Sequence, residues 1–242
     1  MADVAPKPFL TAQWRHLAML NFAVDPKILE PLVPAGTELD FHEGETFVSV
    51  VGFLFLQTRV LGLPIPLHRN FEEVNLRFYV RRRTAEGWRR GVTFVRELVP
   101  RRAIALVARI FYDEPYLAMP MRHSIARAAQ ELSVQYQWWR LGRWETFGMS
   151  TAGPAYLPAA GSHEEFITEH YWGYTKRREG TSEYGVEHEQ WHLQTASQWE
   201  FDADVASLYG PQFVETLRVA PVSAFAAEGS PVIVRQGTRL SV

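Results

Sequence analysis

The chain has 242 residues and not one cysteine, which removes disulfides, thiolate nucleophiles and Cys-ligated zinc or iron–sulfur centres together. Lysine is nearly as scarce. Of 25 basic side chains only Lys7, Lys27 and Lys176 are amines, and an amine is what a Schiff base with a carbonyl substrate requires. No apolar run reaches 18 residues, and the opening "MADVAPKPFLTAQWRH" has neither the charged start nor the apolar stretch of a signal peptide. A cytoplasmic protein with no membrane partner is expected. No Gly-rich phosphate loop, Walker A, H-E-x-x-H or G-x-S-x-G occurs, so nucleotide, zincin and α/β-hydrolase readings lose their usual support. A net charge of −2 and a pI near 6.5 leave no footprint for nucleic acid, despite the run Arg81-Arg82-Arg83.

What is present is apolar and aromatic. With 47% hydrophobic and 13% aromatic residues the chain can bury a sizeable core, and one domain over 1–242 is expected, with no repeat or low-complexity linker to divide it. "WRHLAMLNFAV" (14–24) reads as a strand. Asp25-Pro26 then supplies an N-cap and a first-turn proline for the short helix "KILEPLV". "TFVSVVGFLFLQTRV" (46–60) is a β-branched and aromatic strand, and the proline-dense "LGLPIPLHRN" after it should be irregular. "FEEVNLRFYVRRR" (71–83) alternates, with Val74, Leu76, Phe78 and Val80 on the core face and Glu73, Asn75, Arg77 and Tyr79 opposite, where solvent is the ordinary expectation.

"GVTFVREL" (91–98) and "AIALVARIFY" (103–112) read as a hairpin covered on both sides, which favours a sandwich or closed barrel. A capping box at Ser162 and Glu165 predicts a helix over 163–171, and "TAGPAYLPAAGS" (151–162) a long loop before it. Strands follow at "WGYTKRR" and "SEYGVEHEQWHLQ", then a short helix at 202–210 and a last strand in "SPVIVRQGTRL". The sum is a mostly β (α+β) protein with a few short helices.

Eight histidines are spread along the chain, and His188 and His192 would share one face of a strand about 13 Å apart, too far for one metal. No metal site is expected. Arg109 lies inside an apolar strand, where an unpaired guanidinium is costly, so it either reaches the strand's end or meets Glu73, Glu97 or Glu114, as a structural pair or to hold a carboxylate ligand. The strand ends in Asp113, Glu114, Pro115 and Tyr116, either a turn or the rim of a pocket.

The strings "WRHLAMLNFAVDPKILEPLVPAGTELDFHEGETFVSVVGFLF", "FEEVNLRFYVRR", "FVRELVPRRAIALVARIFYDEPY" and "EEFITEHYWGYT" resemble the YqjF-like family of uncharacterised bacterial proteins, within the acetoacetate decarboxylase-like superfamily. The resemblance to the YqjF-like family spans nearly the whole chain; likeness to the decarboxylases themselves covers mainly residues 14–121. It implies an antiparallel, barrel-like fold around a pocket, lined by an arginine that falls on Arg15 and a glutamate that falls on Glu73, or on Glu72 if the alignment slips by one. The decarboxylases' Pro-Lys-Lys falls on Pro115-Tyr116-Leu117. Both lysines are missing, so decarboxylation through a Schiff base is not expected, and no cofactor is implied. A phenol can still donate a proton or hydrogen-bond an oxyanion.

Three readings follow. The first is binding of a small carboxylate or carbonyl compound through Arg15, Glu73, Arg109, Glu114 and Tyr116. The second is a non-covalent lyase, hydratase or isomerase with Glu73 as base and Tyr116 as acid. The third is a structural protein whose pocket is plugged by Trp14, Phe53 or Phe55. Assembly into a homo-oligomer is left open.

Overall fold

In the computed structural model of the protein the described residues are 7–64, 68–100, 115–128 and 131–240. The unbroken β-branched and aromatic run Thr46–Val60 forms β3, paired antiparallel with β1 (Pro8–Val24) on one side and β5 (Phe71–Thr84) on the other. Between β1 and β3, the Asp25 carboxylate accepts a hydrogen bond from Lys27 N at 2.9 Å. It caps α1 (Pro26–Leu29), which tightens into a 3-10 turn over Glu30–Leu32. Asp25→Ala should therefore cost about 1 kcal/mol. An unchanged midpoint of urea denaturation would show that the cap carries no weight.

Two-residue strands trim the sheet: β2 (Glu38–Leu39) pairs with β5, and β4 (Leu63–Pro64) turns back on β3. The proline-dense segment thus begins with a brief pairing rather than with irregular chain. β6 (Gly87–Val99) returns along β5, and the arginine-rich tip between them is tied down by acids. Glu183 holds Arg82 and Arg89, Glu38 holds Arg81, and Asp40 holds Arg90. The second strand expected for the 91–112 hairpin lies outside the described residues. β7 (Tyr116–Ala118) then runs parallel beside β6.

A meander of β8 (Met121–Ala128), β9 (Glu131–Arg140) and β10 (Arg143–Thr151) follows. α2 (His163–Thr168) stops short of the expected residue 171, and its box is modified: Ser162 Oγ accepts from Glu165 N, but the Glu165 carboxylate accepts from Gly161 N. After β11 (Trp172–Lys176) the expected strand over 182–194 is broken into β12 (Thr181–His188) and β13 (Leu193–Asp202). His188 ends one strand and His192 lies in the break, so they share no face. α3 (Val205–Leu208), a 3-10 turn (Pro211–Phe213), α4 (Val214–Arg218), β14 (Ser223–Arg235) and β15 (Thr238–Leu240) complete the chain.

Pairing runs β12-β11-β6-β5-β3-β1-β14, and β14 meets β12 again through Val232–Val234 and Val186–His188. The large sheet thus curls into a partial ring, closed by that three-residue pairing, while the parallel contact of β11 with β6 covers only two residue pairs. Strands β8, β9, β10 and β13 form a second layer. Two apolar clusters result. Val74, Leu76, Phe78 and Val80 pack outward against Leu132, Val134, Tyr136 and Trp138 of β9. Met19, Val51, Phe53, Tyr79 and Phe225 fill the inside of the ring. Both faces of β5 are therefore covered, which corrects the expectation that the Glu73 face meets solvent: Glu73 and Asn75 are each 2% exposed.

Candidate functional site

The inside of the ring is not solid. A cavity of about 190 Å³ opens among its strands, walled largely by aromatic side chains. Trp14 stands at the junction of two walls, edge-on to Phe53 (5.2 Å between ring centroids) and Phe55 (5.9 Å) of β3 and 6.3 Å from Trp191. Phe55 stacks on Phe71, and His188 on Trp191. Trp14, Phe53 and Phe55 line the cavity rather than plug it.

Polar groups come from one row of β5 and its neighbours. The two-residue period puts Glu73, Asn75 and Arg77 on the cavity face. A bulge in β6 opposite Leu76–Arg77 inserts one extra residue, so Phe94 and Glu97 both reach the same side although their spacing is odd. Pro115 O accepts from Glu97 N, and β7 then pairs Tyr116 with Glu97. This places the phenol where it donates to Glu73 Oε2 at 3.2 Å, while Asn75 Nδ2 donates to Glu73 Oε1 at 3.0 Å. Glu72 is directed elsewhere, its carboxylate 2.6 Å from His123 Nδ1. Of the two neighbours it is thus Glu73, not Glu72, that faces the cavity.

Among the described residues the arginine that lines the cavity is Arg77, not Arg15. Arg15 is one step along the pleat from Trp14, and its guanidinium donates to Gly229 O at 3.0 Å and to Gln13 Oε1 at 2.6 Å, so it does not line the cavity. The pleat that brings Trp14 in turns its neighbour away. Arg77 donates to Ile167 O at 3.2 Å and lies over the Tyr79 ring, and its Nε is buried with no partner. Arg109 and Glu114, both expected at the site, lie outside the described residues.

His170, just past the end of α2, lines the cavity as well. Burial holds its pKa down, at about 4, so the ring is neutral near pH 7. Its Nε2 stands 3.5 Å from Asp40 Oδ2, and Arg90 donates to that same oxygen at 2.6 Å. Burial alone would raise Asp40; the neighbouring His170 and Arg90 outweigh it and keep the carboxyl below its ordinary range. Glu97 was expected only as a possible partner of Arg109; Arg77 and His170 were legible only as polar residues in apolar strings, and the regular row 73, 75, 77 was the one signal that grouped Arg77 with the site.

No lysine lines the cavity. Lys7 and Lys27 are exposed, and the exposed Lys176 donates to Pro31 O at 3.0 Å. Among the described residues no cluster of three or more His, Asp or Glu side chains is placed to hold a metal, and no helix is long and apolar enough to cross a membrane.

Residues 11–231 match a family of proteins described as uncharacterized and conserved, DUF2071. The uncharacterized protein YqjF of Bacillus subtilis strain 168 is 30% identical over 187 residues, which are 76% of this chain and 74% of that one. Among solved structures, acetoacetate decarboxylase of Legionella pneumophila superposes with a TM-score of 0.65 at 12% identity, over 99% of this chain and 90% of that one. An acetoacetate decarboxylase-like enzyme of Sphingomonas wittichii RW1 gives 0.65 at 14%, over 97% and 94%. The enduracididine biosynthesis enzyme MppR, in complex with pyruvate, gives 0.65 at 14%, over 99% and 93%. At such identities the shared property is the fold.

Proposed function

This chain belongs to the DUF2071 family of uncharacterized conserved proteins, and we propose that it binds a small carbonyl compound or carboxylic acid in the ring cavity without bonding to it. The observation that carries the reading is the Tyr116–Glu73 pair, a phenol 3.2 Å from a carboxylate in an aromatic enclosure. The phenol can turn its hydrogen to a ligand oxygen, and Arg77 supplies the positive charge for a carboxylate. MppR, of the same fold, holds pyruvate. Imine formation is excluded from the proposal because all three lysines are exposed and none faces the cavity.

The test is calorimetric titration with acetoacetate, benzoate and benzoylformate, together with thermal shift. At least one should bind, and Tyr116→Phe should weaken that binding about three- to tenfold, the worth of one hydrogen bond. Failure of all three to bind would remove the reading. Borohydride added with acetoacetate should leave the protein mass unchanged; an adduct on Lys176 would restore imine chemistry.

The same pair supports a second reading, a non-covalent lyase, hydratase or isomerase. Glu73 would take a proton beside the carbonyl and Tyr116 would stabilise the oxyanion, since one group accepts where the other donates. Deuterium exchange at the carbon next to the carbonyl of a bound ligand, lost in Glu73→Gln, is its expected mark.

A further inference from the structure

We propose that the ligand is a single-ring aromatic compound carrying a keto acid or aldehyde group, rather than an aliphatic acid of three or four carbons. This rests on the binding reading above and narrows it.

Size gives the first reason. An engineered apolar cavity of about 150 Å³ is enough to hold benzene, and this one measures about 190 Å³. The space accommodates one ring with a short polar substituent. Pyruvate or acetoacetate would leave much of the wall without contacts, and atoms facing a gap forfeit their dispersion energy.

The walls give the second. Trp14 bridges the Phe53–Phe55 wall and the Trp191–His188 stack through edge-on and tilted contacts. A flat ring entering among them meets both faces and edges, the arrangement that aromatic pairs prefer. Small aliphatic acids gain nothing from that geometry.

Orphaned polar atoms give the third. Trp14 Nε1 and Arg77 Nε are buried donors without a partner, and Asn75 Oδ1 is a buried acceptor without one; all three side chains line the cavity. Unmade bonds of this kind are expensive. Oxygen atoms on the ligand satisfy the two donors, and a hydroxyl or hydrated carbonyl satisfies the acceptor. The site thus calls for a ring at the walls and two or three oxygens at the polar row.

Titration of the intact protein with pyruvate, acetoacetate, benzoylformate and phenylpyruvate tests this, followed by intrinsic tryptophan fluorescence, to which Trp14, Trp172 and Trp191 of the cavity contribute, and checked by calorimetry. The ring compounds should bind at least tenfold more tightly than the aliphatic ones. Val51→Phe, which adds bulk from β3 into the same cavity, should abolish that preference. Acetoacetate or pyruvate binding as tightly as benzoylformate would overturn the ring proposal while leaving the broader one standing. Binding of none of the four would overturn both. Should Val51→Phe fail to fold, the wild-type series decides alone.

Discussion

Gly229→Ala should destabilise the protein by about 2 to 5 kcal/mol and disturb the ligand cavity with it. Gly229 sits in β14 opposite Arg15 with φ at +87°, a conformation that L side chains rarely adopt. Forcing an alanine there costs about 1 to 2 kcal/mol in local backbone energy. Space makes it worse: a Cβ at this position would lie 2.0 Å from Trp14 O and 2.6 Å from Leu17 Cδ1. Relieving such an overlap in a packed interior adds about 1 to 3 kcal/mol. The atom in the way is backbone, which has no rotamer to escape into. Moving it moves Trp14, so ligand affinity should fall together with stability. Urea denaturation measures the first and titration the second, and a variant with the wild-type midpoint would refute the packing argument.

Stability should also decline as pH is lowered from about 6.5 to about 4, by up to about 3 kcal/mol from His170 alone. The folded ring holds its pKa near 4 against an ordinary 6.5, with burial as the main cause. Between those values the unfolded chain binds a proton that the folded chain refuses, so acid favours unfolding. A difference of about 2.5 in pKa is worth about 3 kcal/mol. Below pH 4 both states carry the proton and this contribution levels off. Asp40 takes over there: its depressed pKa gives stability that is present above its ordinary value of 3.8 and lost as pH falls further. His170→Asn should flatten the upper slope. Equal slopes between pH 4 and 6.5 in the two proteins would show that His170 is not the group responsible.

Much of the ring was readable in the residues because its strands are long and their alternation is strong. Thr46–Val60 forms a strand with the bounds its β-branched run predicts, and Asp25-Pro26 caps α1 as the dipeptide requires. The second layer was equally readable in principle. Leu132, Val134, Tyr136 and Trp138 alternate without a break and are all buried. The site was harder, for two physical reasons. Polar residues line a cavity as they line water, so the Glu73, Asn75 and Arg77 row carries no mark of which it faces. Bulges then exchange the two faces: the extra residue opposite Leu76–Arg77 admits Glu97. Another, near His16 at φ 55°, lets both Trp14 and Leu17 face inward. Neither offset can be counted from a string of letters. The likeness to the decarboxylases placed Glu73 and Tyr116 together and put the arginine on Arg15, whereas among the described residues the guanidinium that lines the cavity is that of Arg77.

The ring is a hoop with a short clasp. Most of its neighbouring strands are zipped over eight or more residues, but the backbone ladder of β11 on β6 is two pairs, Trp172–Gly91 and Gly173–Val92, helped by Thr93 Oγ1 donating to Tyr174 O at 3.0 Å. Parting so few bonds costs less than parting any long ladder. Along the ring this is where the backbone ladder is shortest, and Trp172 and Val92, which border the interior, stand beside it.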